Sequence, residues 1–281
     1  LPFSIVVGAY IGYLIVPVSK HLHIVHKGYN LYNIGFGVGI LSTLYVSLMR
    51  SYGHHAQNHV LWSMDKNYYL YGFFFLFFGL MMAYGYAYDR SFTNQIKLMK
   101  TSGYMDNDYY NVFGIHTIMI NMGLNGLVCL IYLLLIKAPL NGPVLGAVLT
   151  VVGFGASGKH VLTILPIFFG VFLGSLTKTW SIDNPSIIFA ALFGTALSPI
   201  AGEFGFIWGA LASFINSSVV LNSGFLHAGL NLYNTGFSSG LVAAVLVPLL
   251  EMLRAKEIYR EKYFISPDKV VDFIVNGSQQ P

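Results

Sequence analysis

A motif that combines histidine, asparagine, tyrosine and glycine occurs twice in this chain. The first copy, HKGYNLYNIGF, occupies residues 26–36, and the second, HAGLNLYNTGF, occupies residues 227–237. Asparagine both donates and accepts hydrogen bonds, imidazole can do either, and glycine lets a solute or a neighbouring helix come close. The polar side chains that are candidates to line a solute pathway are His26, Asn30, Tyr32 and Asn33 in the first copy and His227, Asn231, Tyr233 and Asn234 in the second.

The likeness between the two regions extends beyond the motif. Thirteen of the 38 positions from Phe3 to Ile40 are identical to the residue 201 positions later, where composition alone would give roughly three. We interpret this as internal duplication. Residues 1–50 are then predicted to be the C-terminal part of a first repeat, whose beginning is expected before Leu1. Residues 51–253 are predicted to form the second repeat, and 254–281 a charged cytoplasmic tail.

Two interpretations of the motif remain open at this point. Polar groups at membrane depth persist where they are buried in protein or face a water-filled path, and duplicated elements commonly meet near the midplane to form a transport site. Alternatively, the asparagines and glycines only cap helices and pack the repeats together. Small residues four apart, Gly35 with Gly39 and Gly236 with Gly240, are typical of close helix packing.

The composition predicts an integral membrane protein. Of the 281 residues, 55% are hydrophobic and only 9% are charged, whereas a soluble domain needs about 25% charged residues to cover its surface. The net charge of +4 comes without a dense basic run, so a nucleic-acid partner is not expected. The single cysteine, Cys129, excludes internal disulfides and cysteine-only metal sites in this chain.

Hydropathy predicts an all-α, polytopic protein with about nine transmembrane or re-entrant helices. The segment 143–154 is short for a crossing, which takes about 20 residues. The nine predicted spans are 1–19, 34–49, 68–88, 112–136, 143–154, 161–177, 185–198, 203–220 and 234–253.

The span count predicts that the two repeats are inverted. The helices that follow the two motif copies are seven spans apart, and an odd number makes them face opposite ways across the membrane. With the tail in the cytoplasm and every span crossing, eleven Lys and Arg residues lie inside and four outside, in agreement with the positive-inside rule. One re-entrant segment would reverse this parity and worsen the charge sorting.

Other polar residues lie within apolar surroundings. Asn121 and Asn125 share one helix face and are expected either to line a pathway or to hydrogen-bond a neighbouring helix. The turn Gly153–His160 lacks the spacing of a phosphate-binding loop and is interpreted as a broken helix with Lys159 and His160 at its mouth. Lys159 could be a pathway residue or an interface anchor.

Glu203 and a group of three histidines are further candidate sites. Glu203 is predicted to begin a helix, where an acid complements the helix dipole or couples a proton or sodium ion. His54, His55 and His59 could recruit a metal, but a solvated loop is the favoured interpretation because no matching second cluster is present. We therefore predict no catalytic residues, no metal site and no cofactor.

Three stretches carry a family resemblance. The repeated motif, the Gly-Lys-His turn with the following LPIFFGVFLG, and Ser-Pro-Ile-Ala-Gly-x-Phe-Gly ending at Gly205 resemble an uncharacterised bacterial family of duplicated polytopic membrane proteins, a domain of unknown function. The resemblance covers nearly all of 1–253 and implies a multi-pass protein of the bacterial inner membrane. A weaker similarity, through the Asn/Gly-rich stretch at 123–126, is to urea transporters, although the order of motifs differs.

These observations favour a transporter or channel-like facilitator for a small polar solute, with its pathway at the interface of two inverted repeats. The expected partners are the lipid bilayer and the solute, and a homo-oligomer is compatible with the sequence. Two other hypotheses stay open. One is a membrane-embedded enzyme that acts on a lipid or lipid-linked substrate, and the other is a structural membrane subunit.

Overall fold

The computed structural model describes residues 2–55, 62–65, 67–104, 108–231 and 234–263, and all regular structure within these ranges is helical. Short 3-10 segments follow α6 (Phe154–Ser157) and join α8 to α9 (Phe193–Leu197). The α-helices are α1 (Pro2–Val25), α2 (Asn33–Ser51), α3 (Tyr68–Asp89), α4 (Thr93–Leu98), α5 (Tyr109–Leu135), α6 (Gly142–Gly153), α7 (Val161–Thr177), α8 (Pro185–Leu192), α9 (Ser198–Phe204), α10 (Phe206–Ser223) and α11 (Asn234–Tyr263).

Among the described residues, seven helical segments are long and apolar enough to cross a membrane: α1, α2, α3, α5, the α8–α9 run, α10 and α11. This confirms the predicted all-α, polytopic membrane fold. The largest buried apolar cluster takes its side chains mainly from α3, α5, α6, α7 and α8, and a second cluster joins α7 and α10 to α11. The core therefore surrounds the part of the chain that contains the Gly153–His160 turn.

The two shorter apolar helices, α6 and α7, form a hairpin that enters and leaves on one side. The turn between them lies beside the middle of α5, where Asn121 and Asn125 both donate to the Lys159 carbonyl at 2.8 Å. From there α7 runs back along the C-terminal half of α5, and Phe168 stacks on Tyr132 with ring centroids 4.3 Å apart. The described part of the chain thus contains nine apolar helical segments, and α6 and α7 together make no net crossing.

The boundary before α10 differs from the prediction. Glu203 does not begin a helix but lies in the last turn of α9, and Gly205, with φ 94°, separates α9 from α10. A carboxylate at a helix C-terminus does not complement the helix dipole, and Glu203 instead pairs with Arg254. The stretch from Pro199 to Gly202 was interpreted as a link that precedes the helix. Pro199 instead occupies the first turn of α9, where its missing N–H costs no hydrogen bond.

Candidate functional site

Each motif copy is closed by the same hydrogen bonds. His26 Nε2 lies 2.9 Å from Asn33 Oδ1, and His227 Nε2 lies 2.9 Å from Asn234 Oδ1. The amide nitrogen of the same asparagine donates to the preceding helix at 2.7–2.8 Å; the accepting carbonyls belong to Ser19 and Val220. Because the asparagine oxygen faces the ring, each imidazole donates from Nε2.

A second pair of asparagines joins the two copies to each other. Asn30 Nδ2 donates to the Gly236 carbonyl at 3.0 Å, and Asn231 Nδ2 donates to the Gly35 carbonyl at 3.1 Å. These bonds link equivalent positions in reciprocal fashion, because 30 corresponds to 231 and 35 to 236 at the offset of 201. The carboxamides thus satisfy backbone carbonyls across the α2–α11 crossing.

The glycines one turn further on let α2 and α11 approach closely. A Cβ atom at Gly39 would lie 2.4 Å from the Phe237 ring, and one at Gly240 would lie 2.3 Å from the Phe36 ring. The two phenyl rings stack with centroids 6.3 Å apart. The crossing is reciprocal in its packing as well as in its hydrogen bonds.

From this crossing α2 and α11 run in opposite directions. The end of α2 reaches the segment before the second copy, where Arg50 Nη2 donates to the Phe225 carbonyl at 2.7 Å. Near its own end α11 reaches the first copy, where Glu251 forms an ion pair with Lys27. The tips of the two motif loops therefore lie on opposite sides of the crossing.

Lys159 lies where three segments outside the α-helices converge. Its side chain is wholly buried, and Nζ donates to Tyr32 Oη and to Thr195 Oγ1, each at 2.8 Å. Nζ also lies 4.6 Å from the centroid of the Tyr32 ring and 5.1 Å from that of the Phe154 ring. The three segments are the first motif loop, the tip of the α6–α7 hairpin and the 3-10 segment between α8 and α9.

The Lys159 amine has no carboxylate partner among the described residues. The ion pairs found there all lie elsewhere: Lys27 with Glu251, Arg254 with Glu203, and His116 with Asp89. Taking an ammonium out of water costs several kcal/mol even after the protein relaxes. Two neutral hydroxyls and two aromatic faces offset only part of that cost. An interface anchor would have its amine in the headgroup region, so the complete burial of Lys159 argues against that interpretation.

Side-chain amides hold the hairpin tip from the α5 side. Asn121 Nδ2 donates to the carbonyls of Gly155 and Lys159 at 2.9 and 2.8 Å, and Asn125 Nδ2 donates to the Lys159 carbonyl. Both asparagines are completely buried. Their amides donate to backbone carbonyls of the hairpin tip, and these hydrogen bonds fix the position of the lysine.

The segment around α4 contacts the hairpin tip on the side that faces away from α6 and α7. Gln95 Nε2 donates to Asn121 Oδ1 at 3.1 Å, and His160 Nε2 lies 3.0 Å from the Thr101 carbonyl, to which it donates. His160 is 1% exposed and therefore lies beneath this segment rather than at an open mouth.

A cavity of about 560 Å³ adjoins the Lys159 cluster. Tyr32 and Phe154, the two rings nearest Nζ, line it, together with Asn30, Asn33 and Gly35 of the first motif copy and Thr150 of α6. The cavity, the motif and the buried lysine thus form one continuous site in which the two rings separate the open volume from the ammonium.

The remaining candidates lie apart from this site. Glu203 and Arg254 line a small separate cavity, and exposed His54 and His55 border another of about 680 Å³ near the end of α2. His59 and Tyr233 lie outside the described residues. Within the described ranges, no group of three or more His, Cys, Asp or Glu side chains could hold a metal ion.

Four contributors were not anticipated from the sequence. They are Phe154, Thr195, Gln95 and Thr101, which contact Lys159, Asn121 or His160 from distant parts of the chain. Thr195 lies in an apolar run that reads as uninterrupted helix, and the others belong to no repeated pattern. A lysine inside a Gly-rich turn between two short apolar segments was the one signal that pointed to the cluster.

Comparison with known proteins gave one match. The family model described as "Protein of unknown function (DUF1576)" matches residues 1–51 and 87–252. No protein of curated function and no solved structure matches the chain.

Proposed function

This chain belongs to the DUF1576 family of proteins of unknown function, and we propose that it is a membrane transporter or channel-like facilitator for a small polar solute. The observation that carries the proposal is the convergence of three segments outside the α-helices on the buried Lys159. Irregular backbone at membrane depth is tolerated where it is buried in protein or lines a water-filled cavity, and ionisable residues there commonly mark solute paths.

The proposed pathway lies at the interface of two inverted repeats, with boundaries at 1–50 and 51–253. The reciprocal bonds of Asn30 and Asn231 and the opposite directions of α2 and α11 support it. The hairpin also keeps the parity odd. After α2 the chain crosses five times, in α3, α5, α8–α9, α10 and α11. The two helices of the hairpin add no net crossing.

The distribution of basic residues supports the same topology. With the tail in the cytoplasm, the first motif copy and the α3–α5 connection lie inside, and the second copy lies outside. Arg50, Lys137 and Lys178 then fall on the outer side, while Lys20, Lys27, Arg90, Lys97 and Lys100 join the tail on the inner side, as the positive-inside rule expects. The proposed location is the bacterial inner membrane, as the family resemblance implies.

The proposal divides the polar residues into two roles. The histidines and asparagines of the motif hold the α2–α11 crossing, since their bonds go to each other and to backbone carbonyls. Tyr32, Lys159 and Thr195 form the part of the site that meets the solute. Asn121 and Asn125 keep the hairpin tip in place beneath them.

The orientation is tested by side-specific cysteine labelling of the full-length protein in intact and opened cells. Cys129 is first replaced by Ser, and a single cysteine is then placed at Lys27 or at the equivalent Ala228. We expect position 228 to react from outside and position 27 only after the cells are opened. Labelling of both from the same side would overturn the inverted arrangement and favour the enzyme or structural hypothesis.

Transport itself is tested in proteoliposomes by the rate of osmotic swelling with a panel of small polar solutes. At least one solute should enter faster than into protein-free vesicles, and Lys159→Met should abolish the difference. The variants Asn33→Ala and Asn234→Ala should reduce the amount of folded protein rather than the flux per folded molecule. If no solute in the panel enters faster, transport is rejected and the structural hypothesis gains.

A further inference from the structure

We infer that the solute bound at Lys159 carries one negative charge, as a small monocarboxylate does. This inference rests on the proposed transport function and specifies the class of solute for the same site. The charge environment of Lys159 supports it. Lys159 is completely buried, and no carboxylate lies within ion-pair distance in the part of the chain that the structure describes.

A bound anion would supply what the protein leaves out. An ammonium removed from water costs several kcal/mol unless an opposite charge accompanies it, and an ammonium and a carboxylate form short, charge-assisted hydrogen bonds. A carboxylate at Nζ would therefore relieve the largest electrostatic penalty at the site. An uncharged solute would leave that penalty in place.

The hydrogen-bonding capacity of the cluster fits the same ligand. An ammonium has three donors, and the structure gives Lys159 Nζ two acceptors, Tyr32 Oη and Thr195 Oγ1. Thr195 Oγ1 itself donates to the Leu192 carbonyl at 2.6 Å, and its distance to Tyr32 Oη is 3.5 Å, at the limit of a hydrogen bond. One N–H of Lys159 has no acceptor among the described residues, and the hydroxyl proton of Tyr32 makes only the long contact with Thr195 Oγ1. These two donors match the two oxygens of a carboxylate.

The neighbouring cavity is suited to admit such a solute. Its volume of about 560 Å³ is within the usual range for small-molecule sites, roughly 300–1,000 Å³. The first residues of α2, Asn33 to Gly35, line it, and the N-terminal end of a helix attracts negative charge. Tyr32 and Phe154 separate the cavity from Nζ, so these two rings must swing aside for the solute to reach the lysine.

The number of charges follows from the number of cations. Among the described residues that line the cavity or contact Nζ, Lys159 is the one Lys or Arg side chain and His23 the other basic group. A dianion such as sulfate would bring a second charge that no second Lys or Arg there balances. The site should therefore favour a monocarboxylate over both a dianion and the corresponding amide. This order of preference distinguishes recognition by the ammonium from simple filling of a polar cavity.

The test measures the midpoint of thermal unfolding of the purified full-length protein with sodium lactate, lactamide or sodium sulfate, at ionic strength held constant with sodium chloride. Lactate should raise the midpoint in a saturable manner, by an amount that corresponds to about 2.7 kcal/mol at a concentration one hundred times its Kd. Lactamide and sulfate should have no such effect. Lys159→Met should abolish the lactate shift, and Lys159→Arg, which keeps the charge, should retain part of it.

Lys178→Met is the matched control. Lys178 also bonds to neutral oxygens, those of Phe214 and Ser217, and lies 3.9 Å from an aromatic centroid, but it is remote from the cavity. This variant should keep the lactate shift. Should Lys159→Met fail to fold, Tyr32→Phe provides the second test, because it removes one of the two donors to the carboxylate and should weaken the lactate shift.

Several outcomes would overturn the inference: no shift with lactate, an equal shift with lactamide, a larger shift with sulfate, or a lactate shift that persists in Lys159→Met. Flux measurements separate this failure from failure of the proposed function. Lactate binding without lactate flux in proteoliposomes would keep the anion site and reject transport. Flux of lactamide but not of lactate would keep transport and reject the anion.

Discussion

The two motif copies have the same local structure. Lys27 and Ala228 have φ values of 49° and 47°, and the glycines that follow them have 76° and 74°. The histidine–asparagine bond and the bond from asparagine to the preceding helix also recur in both copies. At these described positions, residues 201 apart thus have equivalent backbone and equivalent internal partners.

The surroundings of the two copies are different. In the first copy Tyr32 contacts Lys159 and Phe154, and the backbone N–H of Leu31 donates to the Ala196 carbonyl at 3.0 Å. The helix before the second copy is more deeply buried than the helix before the first. In α10, 44% of the span is buried, against α7, α9 and other helices, whereas in α1 only 6% is buried, mainly against α2.

This difference separates architecture from chemistry. What the copies share holds the α2–α11 crossing together, and it does so twice with the same bonds. What they do not share is the hairpin tip with its buried lysine, which in the described structure meets the first copy. Substitutions at shared positions should therefore affect stability in both copies alike, while those at the lysine contacts should affect flux.

Among the substitutions within the two motif copies, the largest effect is expected from Tyr32→Phe. Loss of a hydrogen bond to a charged group costs about 1.5–3 kcal/mol, which corresponds to a fall in solute flux on the order of tenfold or more. Tyr29→Phe is the control within the same copy, since Tyr29 packs against Tyr104 and Phe204 away from the lysine. Equal losses of flux in both variants would show that the motif as a whole, rather than its contact with Lys159, governs transport.

Alanine at the close-packed glycines should come next. Gly39→Ala and Gly240→Ala each place a methyl group against a phenylalanine ring of the other copy, and overpacking typically costs about 1–3 kcal/mol. Chemical unfolding in detergent should show similar losses for the two variants. Gly79→Ala, where a methyl group would meet no atom within 4 Å, should not destabilise; a loss in only one of the paired variants would contradict a reciprocal crossing.

Smaller losses should follow from removal of the cross-copy amides. Asn30→Ala and Asn231→Ala each leave a buried glycine carbonyl of the other copy without that donor, at a cost of about 1–2 kcal/mol. The same unfolding measurement applies, and Asn222→Ala is the control because its amide bonds within its own exposed helix surface. If only one of the two variants loses stability, the copies are not equivalent in holding the crossing.

The smallest effect concerns pH. Burial lowers the pKa of His26 from its ordinary value of 6.5, against the opposing hydrogen bond to Asn33. The neutral ring also accepts the backbone N–H of Asn30 at Nδ1, at 3.4 Å, and protonation would put a hydrogen there. Since the folded-state pKa is the lower one, stability is retained above pH 6.5 and lost as the pH falls below it.

The pH effect is measured as the unfolding midpoint between pH 8 and pH 5 for the natural protein and for His26→Gln, which cannot titrate. The difference between the two midpoints should grow as the solution becomes more acidic. Parallel curves would show that His26 does not contribute to the pH dependence.

Much of the fold is legible in the sequence because lipid imposes one pattern. The apolar run 161–177 was placed without error, and duplication of the motif was visible from identity alone. The sequence did not show that α6 and α7 turn back, because an apolar segment has the same composition whether it crosses the membrane or returns to the same side. Only the contacts of Asn121, Asn125 and Phe168 with their neighbours establish the turn.

The site was predictable only in part. Its polar residues stand out against an apolar background, but their partners depend on contacts between distant segments, such as Tyr32 with Lys159 and Lys159 with Thr195. The error at Glu203 has a local cause, since Ser-Pro resembles a break although proline is well tolerated in the first turn of a helix.

The α6–α7 hairpin also has a consequence for biogenesis. The carbonyls at its tip accept from Asn121 and Asn125 of α5, which is synthesised earlier. Lys159 donates to Thr195, which emerges from the ribosome 36 residues later. The contacts of the hairpin tip are therefore complete only after α8 and the 3-10 segment that follows it have been made.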